Sequence, residues 1–196
     1  MSTWDLIRAA GIGAYLMLFL TVAWGLASAA APLGKRVSKA SAATIHQTMS
    51  TVGLVLLGLH LAALSADSFM PFSIAELTVP MASKYRPVAV TFGIVAMYVT
   101  VFVIVASWLR GRIGTALWRK THLLAVPAFV LALVHGLFAG SDGGRAWMFW
   151  TYMATGLVVV FLVLVRGFTA GYRPPRAAPA HRVAASPTPA PVSAEG

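Results

Sequence analysis

Long apolar runs separated by short polar segments dominate the pattern of this chain. Five runs are roughly 17–25 residues long, the length that a helix needs to cross a hydrocarbon core about 30 Å thick. They cover residues 9–33, 45–64, 88–109, 123–139 and 146–165. The runs are too long for strands and show no alternation of apolar and polar residues. The pattern therefore predicts an all-α integral membrane protein, a bundle of five transmembrane helices.

The first run also has features of a secretory signal, because Ala29, Ala30 and Ala31 resemble a small-residue cleavage site. However, the run is longer than the apolar segment of a signal peptide, and Asp5 and Arg8 before it cancel in charge. We therefore expect a retained membrane span.

The connection between the second and third runs, residues 65–87, is long and carries several large apolar side chains. These are Phe69, Met70, Phe72, Ile74 and Leu77. Apolar residues in a connection next to a membrane are typical of a short interfacial helix. We expect such a helix to cap the bundle.

Composition supports the membrane interpretation and narrows the chemistry. Of the 196 residues, 59% are apolar and 10% are charged, against about 45–50% and about 25% in soluble domains. A water-soluble globule and a disordered chain are both excluded. The absence of cysteine excludes disulfides, thiolate metal sites and iron–sulfur clusters. Redox chemistry would then need a histidine-bound metal or an organic cofactor.

The net charge of +10 is unevenly placed along the chain. Eleven basic residues and one acid, Glu195, follow the first, third and fifth runs, whereas the other segments hold four basic and four acidic residues. The eleven are Lys35, Arg36, Lys39, Arg110, Arg112, Arg119, Lys120, Arg166, Arg173, Arg176 and Arg182. Lys and Arg concentrate in cytoplasmic loops. This predicts a multi-pass protein of the cell membrane with its N-terminus outside and its C-terminus cytoplasmic. Because the basic charge follows the topology, it does not indicate a nucleic-acid partner.

The C-terminal residues differ from the rest in composition. Residues 173–196 are mostly Pro, Ala and Ser with little apolar bulk, which is typical of disorder. We expect a membrane domain over residues 1–172 and a disordered cytoplasmic tail over residues 173–196.

Four of the five histidines lie in or at the ends of apolar runs, where ionisable side chains are costly and mark functional sites. His46 and His60 are on the second helix, and His122 and His135 on the fourth. Each pair on one helix is separated by about 20 Å at ~1.5 Å per residue. Both helices run in the same direction, so His46 lies level with His122 (the inner pair) and His60 with His135 (the outer pair). Two levels of paired imidazoles predict two b-type haems with histidine axial ligands.

The direction in which these side chains face is a weaker point. Fourteen residues bring His60 within ~40° of the face of His46, but thirteen leave His135 ~140° from His122 on an ideal helix. Pro127 lies between His122 and His135. A distortion at this proline would absorb part of the difference.

Basic residues near each level are further candidates for cofactor binding. Lys39, Arg119 and Lys120 beside the inner pair would hold haem propionates or dock an acidic donor, or would act only as topology signals. Arg86 has the same alternatives beside the outer pair, as do Lys84 and Arg145. Gly53, Gly58 and Gly136 near the histidines would admit a flat ring, or reflect ordinary helix packing. No catalytic side chain is assigned.

Two segments carry a family resemblance, HQTMSTVGLVLLGLH at residues 46–60 and WRKTHLLAVPAFVLALVH at residues 118–135. With the surrounding residues 41–167 they resemble the ferric reductase-like transmembrane family, which includes fungal and plant ferric reductases and the NADPH oxidases. The resemblance implies inner and outer haem pairs with histidine spacings of fourteen and thirteen. The second half is also similar to the haem-bearing membrane subunit of the bacterial methionine sulfoxide reductase system, which lacks the full four-histidine set.

The chain departs from that family in two respects. It has five predicted spans where the family core commonly has six, and it shows no Gly-rich dinucleotide loop. About thirty residues follow the last run, too few for a βαβ domain. We therefore expect no FAD or NADPH site in this chain.

These observations predict a transmembrane diheme cytochrome, an oxidoreductase-type electron-transfer subunit. A cytoplasmic flavoprotein or membrane quinol would donate electrons, and a ferric chelate, oxygen or a redox protein would accept them outside. One alternative is a quinol-coupled cytochrome b that anchors another redox enzyme. Another is a haem-free membrane anchor or transporter with a histidine core, against which stands the absence of intramembrane Asp or Glu.

Overall fold

The computed structural model describes residues 2–30 and 37–171, and within these ranges it is helical without strands. The helices are α1 Thr3–Ala30, α2 Lys39–Ala66, α3 Ile74–Thr78, α4 Pro87–Trp108, α5 Arg110–Ile113, α6 Thr115–His122, α7 Ala125–Ala139 and α8 Ala146–Gly171. Five segments are long and apolar enough to span a membrane: α1, α2, α4, the α6–α7 segment Thr115–Ala139, and α8. The prediction of an all-α, five-span membrane protein is confirmed.

The helices extend beyond most of the predicted spans at their polar ends. The first helix begins at Thr3 rather than residue 9, and α2 begins at Lys39 rather than residue 45. Ser38 explains the second difference, because its hydroxyl accepts a hydrogen bond from the Ser41 N–H at 3.0 Å and so caps the helix. The connection at residues 31–36 and the predicted tail at 173–196 lie outside the described residues.

The first helix is the centre of the packing. It packs along α2 and also contacts α7 and α8, whereas α4 packs mainly on α7. The core between α1, α7 and α8 consists of Tyr15, Val22, Phe129, Met148, Tyr152 and Val159. Phe129 and Met148 are almost completely buried. The main packing of α2 is on α1, which leaves space between α2 and the α6–α7 segment, the two spans that carry the histidines.

Polar contacts show which helix ends lie together. Arg8, near the start of α1, forms an ion pair with Asp142 in the α7–α8 connection. The Tyr85 hydroxyl, just before α4, donates to the Ala139 carbonyl at the end of α7 at 3.1 Å. These contacts define what we call the outer end, following the predicted orientation. At the opposite, inner end, Arg166 of α8 donates to the Ala29 carbonyl of α1 at 2.7 Å.

The fourth predicted span is interrupted. Its first helix, α6, ends at His122, and α7 starts at Ala125 after a tighter turn in which Val126 N–H donates to the Leu123 carbonyl at 3.2 Å. Pro127 has no N–H, so it cannot donate the next helical hydrogen bond, which would also go to the Leu123 carbonyl. A tight turn advances ~120° per residue rather than ~100°. The interruption therefore rotates His122 toward the face of His135, as the spacing of thirteen requires.

The connection from α2 to α4 contains the predicted short helix, α3 at Ile74–Thr78. The Ser73 hydroxyl caps α3 by accepting from the Glu76 N–H at 3.3 Å, and the Ser73 N–H donates to the Glu76 carboxylate at 3.0 Å. The Tyr98 hydroxyl donates to the Thr78 carbonyl at 2.7 Å and ties this connection to α4. A capping box thus starts the helix, although it is only five residues long.

Candidate functional site

A large cavity extends along the bundle from the inner end to the outer end. Its volume is about 1460 Å³, and all four intramembrane histidines line it. Small-molecule sites usually measure about 300–1,000 Å³. The cavity therefore has room for more than one planar cofactor between the helices.

The inner pair lies at a separation that suits a shared metal ion. The ring centroids of His46 and His122 are 5.9 Å apart, and the two planes are inclined by 56°. Two imidazole nitrogens bound to one metal, with bonds of about 2.0–2.1 Å as in zinc–histidine sites, place the ring centres about 6 Å apart. The helices α2 and α6 thus bring two histidines to the distance that a bis-histidine metal centre needs.

The outer pair has a defined hydrogen-bonding state. The Nδ1 atoms of His60 and His135 lie 2.9 Å from the carbonyl oxygens of Ile7 and Ala89 respectively. A carbonyl oxygen only accepts, so Nδ1 carries the proton in both rings. This leaves Nε2 with its lone pair free, which is the tautomer of a metal-bound histidine held by a backbone carbonyl.

Three glycines on neighbouring helices allow the histidine rings to lie close to the backbone of those helices. A Cβ on Gly11 would lie 2.9 Å from His60 Nδ1, and one on Gly93 would lie 2.6 Å from His135 Nδ1. At the inner level, a Cβ on Gly25 would lie 3.3 Å from His46 Cε1. The bonded carbonyls, Ile7 and Ala89, are each four residues before such a glycine. A side chain there would block the ring from reaching the backbone of α1 or α4.

The inner histidines lack backbone hydrogen bonds as close as those of the outer pair. His46 Nδ1 is buried and meets the backbone of Thr21, which lies four residues before Gly25, but no close hydrogen bond forms there. The Nδ1 of His122 lies 3.4 Å from the Ser107 hydroxyl on α4. Trp118 also packs against the His122 ring, with centroids 5.2 Å apart. The two levels therefore differ in how their imidazoles are held.

A family model described as ferric reductase like transmembrane component matches residues 10–133. This match covers more than half of the chain. The chain belongs to the ferric reductase-like transmembrane family. The match includes three of the four histidines and ends two residues before His135. No curated protein and no solved structure matches the chain significantly.

Membership of this family indicates the general function of the domain. Ferric reductase-like transmembrane domains generally bind haem and take part in membrane electron transfer. In residues 2–30 and 37–171, no three His, Asp or Glu side chains converge as a metal site. The candidate donors in this ferric reductase-like domain are instead paired imidazoles, and such pairs suit an ion whose other ligands come from a macrocycle.

The predicted basic residues fall into two groups. Lys39, Arg119 and Lys120 line the inner end of the cavity that His46 and His122 also line. Arg86 lines a separate, smaller cleft with Phe138, whose carbonyl accepts its guanidinium hydrogen bond. Arg86 is thus at the outer end of this ferric reductase-like domain but not on the histidine cavity.

The sequence interpretation did not single out Arg8 and Asp142, which line the outer end of the cavity. Arg8 donates to both carboxylate oxygens of Asp142, at 2.7 and 2.8 Å, and Arg145 approaches the same carboxylate at 3.0 Å. Asp142 is only 5% exposed. In the sequence, the charge of Arg8 is balanced by that of the nearby Asp5. The tertiary structure shows instead that Arg8 pairs with Asp142, which lies 134 residues away.

Proposed function

We propose that the chain is a transmembrane diheme b-type cytochrome that transfers electrons between a cytoplasmic donor and an outer acceptor. His46 and His122 would hold the inner haem, and His60 and His135 the outer haem. The observation that carries the proposal is the arrangement of four histidines at two levels of one cavity, with Nε2 free in both outer rings.

The scaffold supports this role by orienting the rings before any cofactor arrives. The carbonyls of Ile7 and Ala89 fix the outer tautomers, and the close approach at Gly11 and Gly93 fixes the ring positions. Fourteen residues of α2 separate the levels by ~21 Å. When bound, the haems supply one-electron redox chemistry, whereas the protein contributes ligation and an apolar surrounding.

The inner end of the cavity suits a negatively charged group. Lys39, Arg119 and Lys120 line it, and no acidic side chain appears among the described lining residues at that end. Opposite charges on two binding partners speed their encounter and orient them relative to each other. We propose that these cations hold haem propionates or receive an acidic cytoplasmic flavoprotein; membrane quinol is the other donor compatible with the cavity. A ferric chelate, oxygen or a redox protein would be the outer acceptor.

Haem stoichiometry tests the proposal directly. A pyridine haemochrome assay on the purified full-length chain should give two haems per protein, both low-spin because both axial positions are filled. One haem or fewer would contradict the diheme assignment. A colourless protein would favour a haem-free anchor or transporter instead.

Replacement of single ligands tests the pairing. His46→Ala and His122→Ala should remove the same redox component. The double variant should lose little more haem than either single variant, because the effects of residues that act as a unit are not additive. His60→Ala and His135→Ala should remove the other component. His181→Ala, outside the spans, is the matched control and should keep both haems. If His46→Ala and His135→Ala lost the same component, the proposed pairing would be wrong.

A further inference from the structure

Arg86 lies at the end of a cleft that the proposed function does not use. The cleft runs between the start of α4 and the end of α7, and its volume is about 500 Å³. Residues 86–89 and Phe92 form one wall, and Val134 and Phe138 form the other. Clefts that bind ligands usually measure about 300–1,000 Å³. This cleft is therefore large enough for part of a ligand.

The cleft opens on the surface of the bundle that faces lipid. Val88 and Phe138 belong to spanning segments, and each is more than half exposed. Apart from Arg86, the described side chains that line the cleft are apolar. The hydrocarbon core of a bilayer holds no water. An apolar cleft at this position is therefore filled by a lipid chain rather than by water.

The one charged side chain on the described walls lies at the polar end of the cleft. Arg86 immediately precedes the span that begins at Pro87. Its guanidinium donates to the Phe138 carbonyl and lies 5.3 Å from the centroid of the Tyr85 ring. Tyrosine rings are enriched at the level of the lipid headgroups. Arg86 is thus held at the headgroup level, and the apolar wall continues for about 9 Å to Phe92, six residues further along.

Arg86 retains hydrogen-bond donors for an anion. A guanidinium has five N–H groups, and among the described residues Arg86 has the Phe138 carbonyl as its one acceptor. The backbone of Arg86 is left-handed, with φ 41° and ψ 61°. This conformation disfavours most residues other than Gly, Asn and Asp. The backbone therefore gives no reason for an arginine at this position, whereas an anionic ligand does.

We infer that this cleft binds a phospholipid with an anionic headgroup. The phosphate pairs with Arg86, and an acyl chain lies along Phe92, Val134 and Phe138. Arginine recognises phosphate through two parallel, charge-assisted hydrogen bonds, and basic pockets between transmembrane helices bind anionic headgroups. No acidic side chain on the described walls could receive the ammonium group of a zwitterionic lipid. Charge complementarity therefore favours a lipid with net negative charge.

The bound lipid joins two helices that also position a histidine. Ala89 lies in the wall of the cleft, and its carbonyl accepts from His135 Nδ1 at 2.9 Å. A ligand that binds the folded protein and not the unfolded chain raises the unfolding temperature in proportion to its occupancy. We therefore expect anionic lipid to stabilise the contact between α4 and α7.

Lipid titration of the purified full-length protein in detergent, followed by native mass spectrometry, tests the inference. One phosphatidylglycerol per chain should bind about tenfold more tightly than phosphatidylcholine, and it should raise the unfolding temperature. Equal affinity for the two lipids would overturn the inference. Equal stabilisation by inorganic phosphate, which has the anion but no acyl chain, would overturn it as well.

Substitution of Arg86 tests the headgroup contact. Arg86→Asn removes the charge but suits the left-handed backbone, so the variant should fold normally and bind phosphatidylglycerol about tenfold more weakly. Lys84→Asn is the matched control, because it removes an exposed cation two residues away that does not line the cleft. It should keep the affinity. Equal losses in both variants would indicate general attraction to positive charge and would refute a specific site.

Substitution of Phe138 tests the acyl-chain contact. Phe138→Ala removes one apolar wall but keeps the carbonyl that holds Arg86, so the affinity for phosphatidylglycerol should fall several-fold. Phe161→Ala is the control, since Phe161 is a similarly exposed phenylalanine in the span of α8 and is not on the cleft. An unchanged affinity in Phe138→Ala would overturn the inference. These measurements do not depend on bound haem, so they stand or fall separately from the proposed function.

Discussion

The imidazole of His135 lies directly on the backbone of Gly93, so that a Cβ at residue 93 would be 2.6 Å from its Nδ1. Real Cβ contacts are not that short, and the ring is also held by the Ala89 carbonyl at 2.9 Å. The ring cannot move away from residue 93 without losing that hydrogen bond. Gly93 thus fixes the position of a candidate outer ligand from a different helix.

Replacing Gly93 by Ala should therefore displace His135 and remove the outer haem while the inner haem stays. Overpacking in a tight interior typically costs about 1–3 kcal/mol of stability, so we expect a folded protein with one haem. The measurement is haem stoichiometry together with a redox titration.

Gly58→Ala is the matched control for Gly93→Ala. A Cβ on Gly58 meets nothing within 4 Å, and the residue is also inside a spanning helix. Alanine is favoured over glycine in a helix interior by about 0.5–1 kcal/mol, so this variant should keep both haems and unfold no more easily. Equal haem loss in both variants would refute the specific role of Gly93.

Much of the fold could be predicted from the sequence because hydropathy alone determines membrane spans. The spacing of His46, His60, His122 and His135 likewise placed two histidines on each of two parallel helices, and the structure brings His46 and His122 together. Spacing within one helix does not show which helices are neighbours. The contacts of Gly11, Gly25 and Gly93 were therefore missed, although Gly11 and Gly25 repeat the fourteen-residue spacing of α2 and would have been the signal.

The interruption at Leu123 and Leu124 was only partly predictable. Pro127 indicated a distortion somewhere in the fourth span, but an unsatisfied carbonyl can be accommodated by a kink or by a break in the helix. The structure ends α6 at His122, the ligand candidate itself. The N-terminal start of α1 was also missed, because Asp5 and Arg8 lower the hydropathy of a turn that is nevertheless helical.

Asp142→Asn should destabilise the outer end of the bundle. The carboxylate is buried and faces Arg8 and Arg145, so its loss leaves two cations without their partner. Breaking a buried ion pair costs about 3–5 kcal/mol, and because the Arg8 side chain is 30% exposed we expect the lower part of that range or less. Thermal unfolding in detergent measures the effect.

The control for Asp142→Asn is Arg145→Ala. The Arg145 side chain is 63% exposed, and exposed pairs contribute about 0–1 kcal/mol. Its loss should therefore change the unfolding temperature much less. If Arg145→Ala destabilised the protein as much as Asp142→Asn, the ion pair with Arg8 would not be the main contact of this carboxylate.

The connection that contains α3 should open at acidic pH. The pKa of Glu76 is lowered from its ordinary value of 4.5 because the Ser73 N–H and hydroxyl, and then the Lys84 N–H, donate to its carboxylate. A lowered pKa means that the stabilisation is complete above about pH 4.5 and is lost as the pH falls through the folded-state pKa below it. Pulsed amide exchange of residues 73–84 should show protection that decreases only in this acidic range.

Glu76→Gln checks the assignment of that transition. The amide cannot ionise, so protection of residues 73–84 should be weaker at neutral pH and should no longer change between neutral and acidic pH. An unchanged acid transition in this variant would show that another group controls the opening of the connection.

The predicted orientation can be tested with single cysteines, because the chain has none of its own. Gly111, in α5 at the inner end, and Gly144, between α7 and α8 at the outer end, are suitable positions, since a Cβ on either meets nothing within 4 Å. The excess of Lys and Arg near α5 and α6 predicts a cytoplasmic inner end. A membrane-impermeant maleimide should therefore label Gly144→Cys in intact cells and Gly111→Cys only in inverted vesicles. The reverse result would exchange the donor and acceptor sides, although the pairing of histidines within each level would be unaffected.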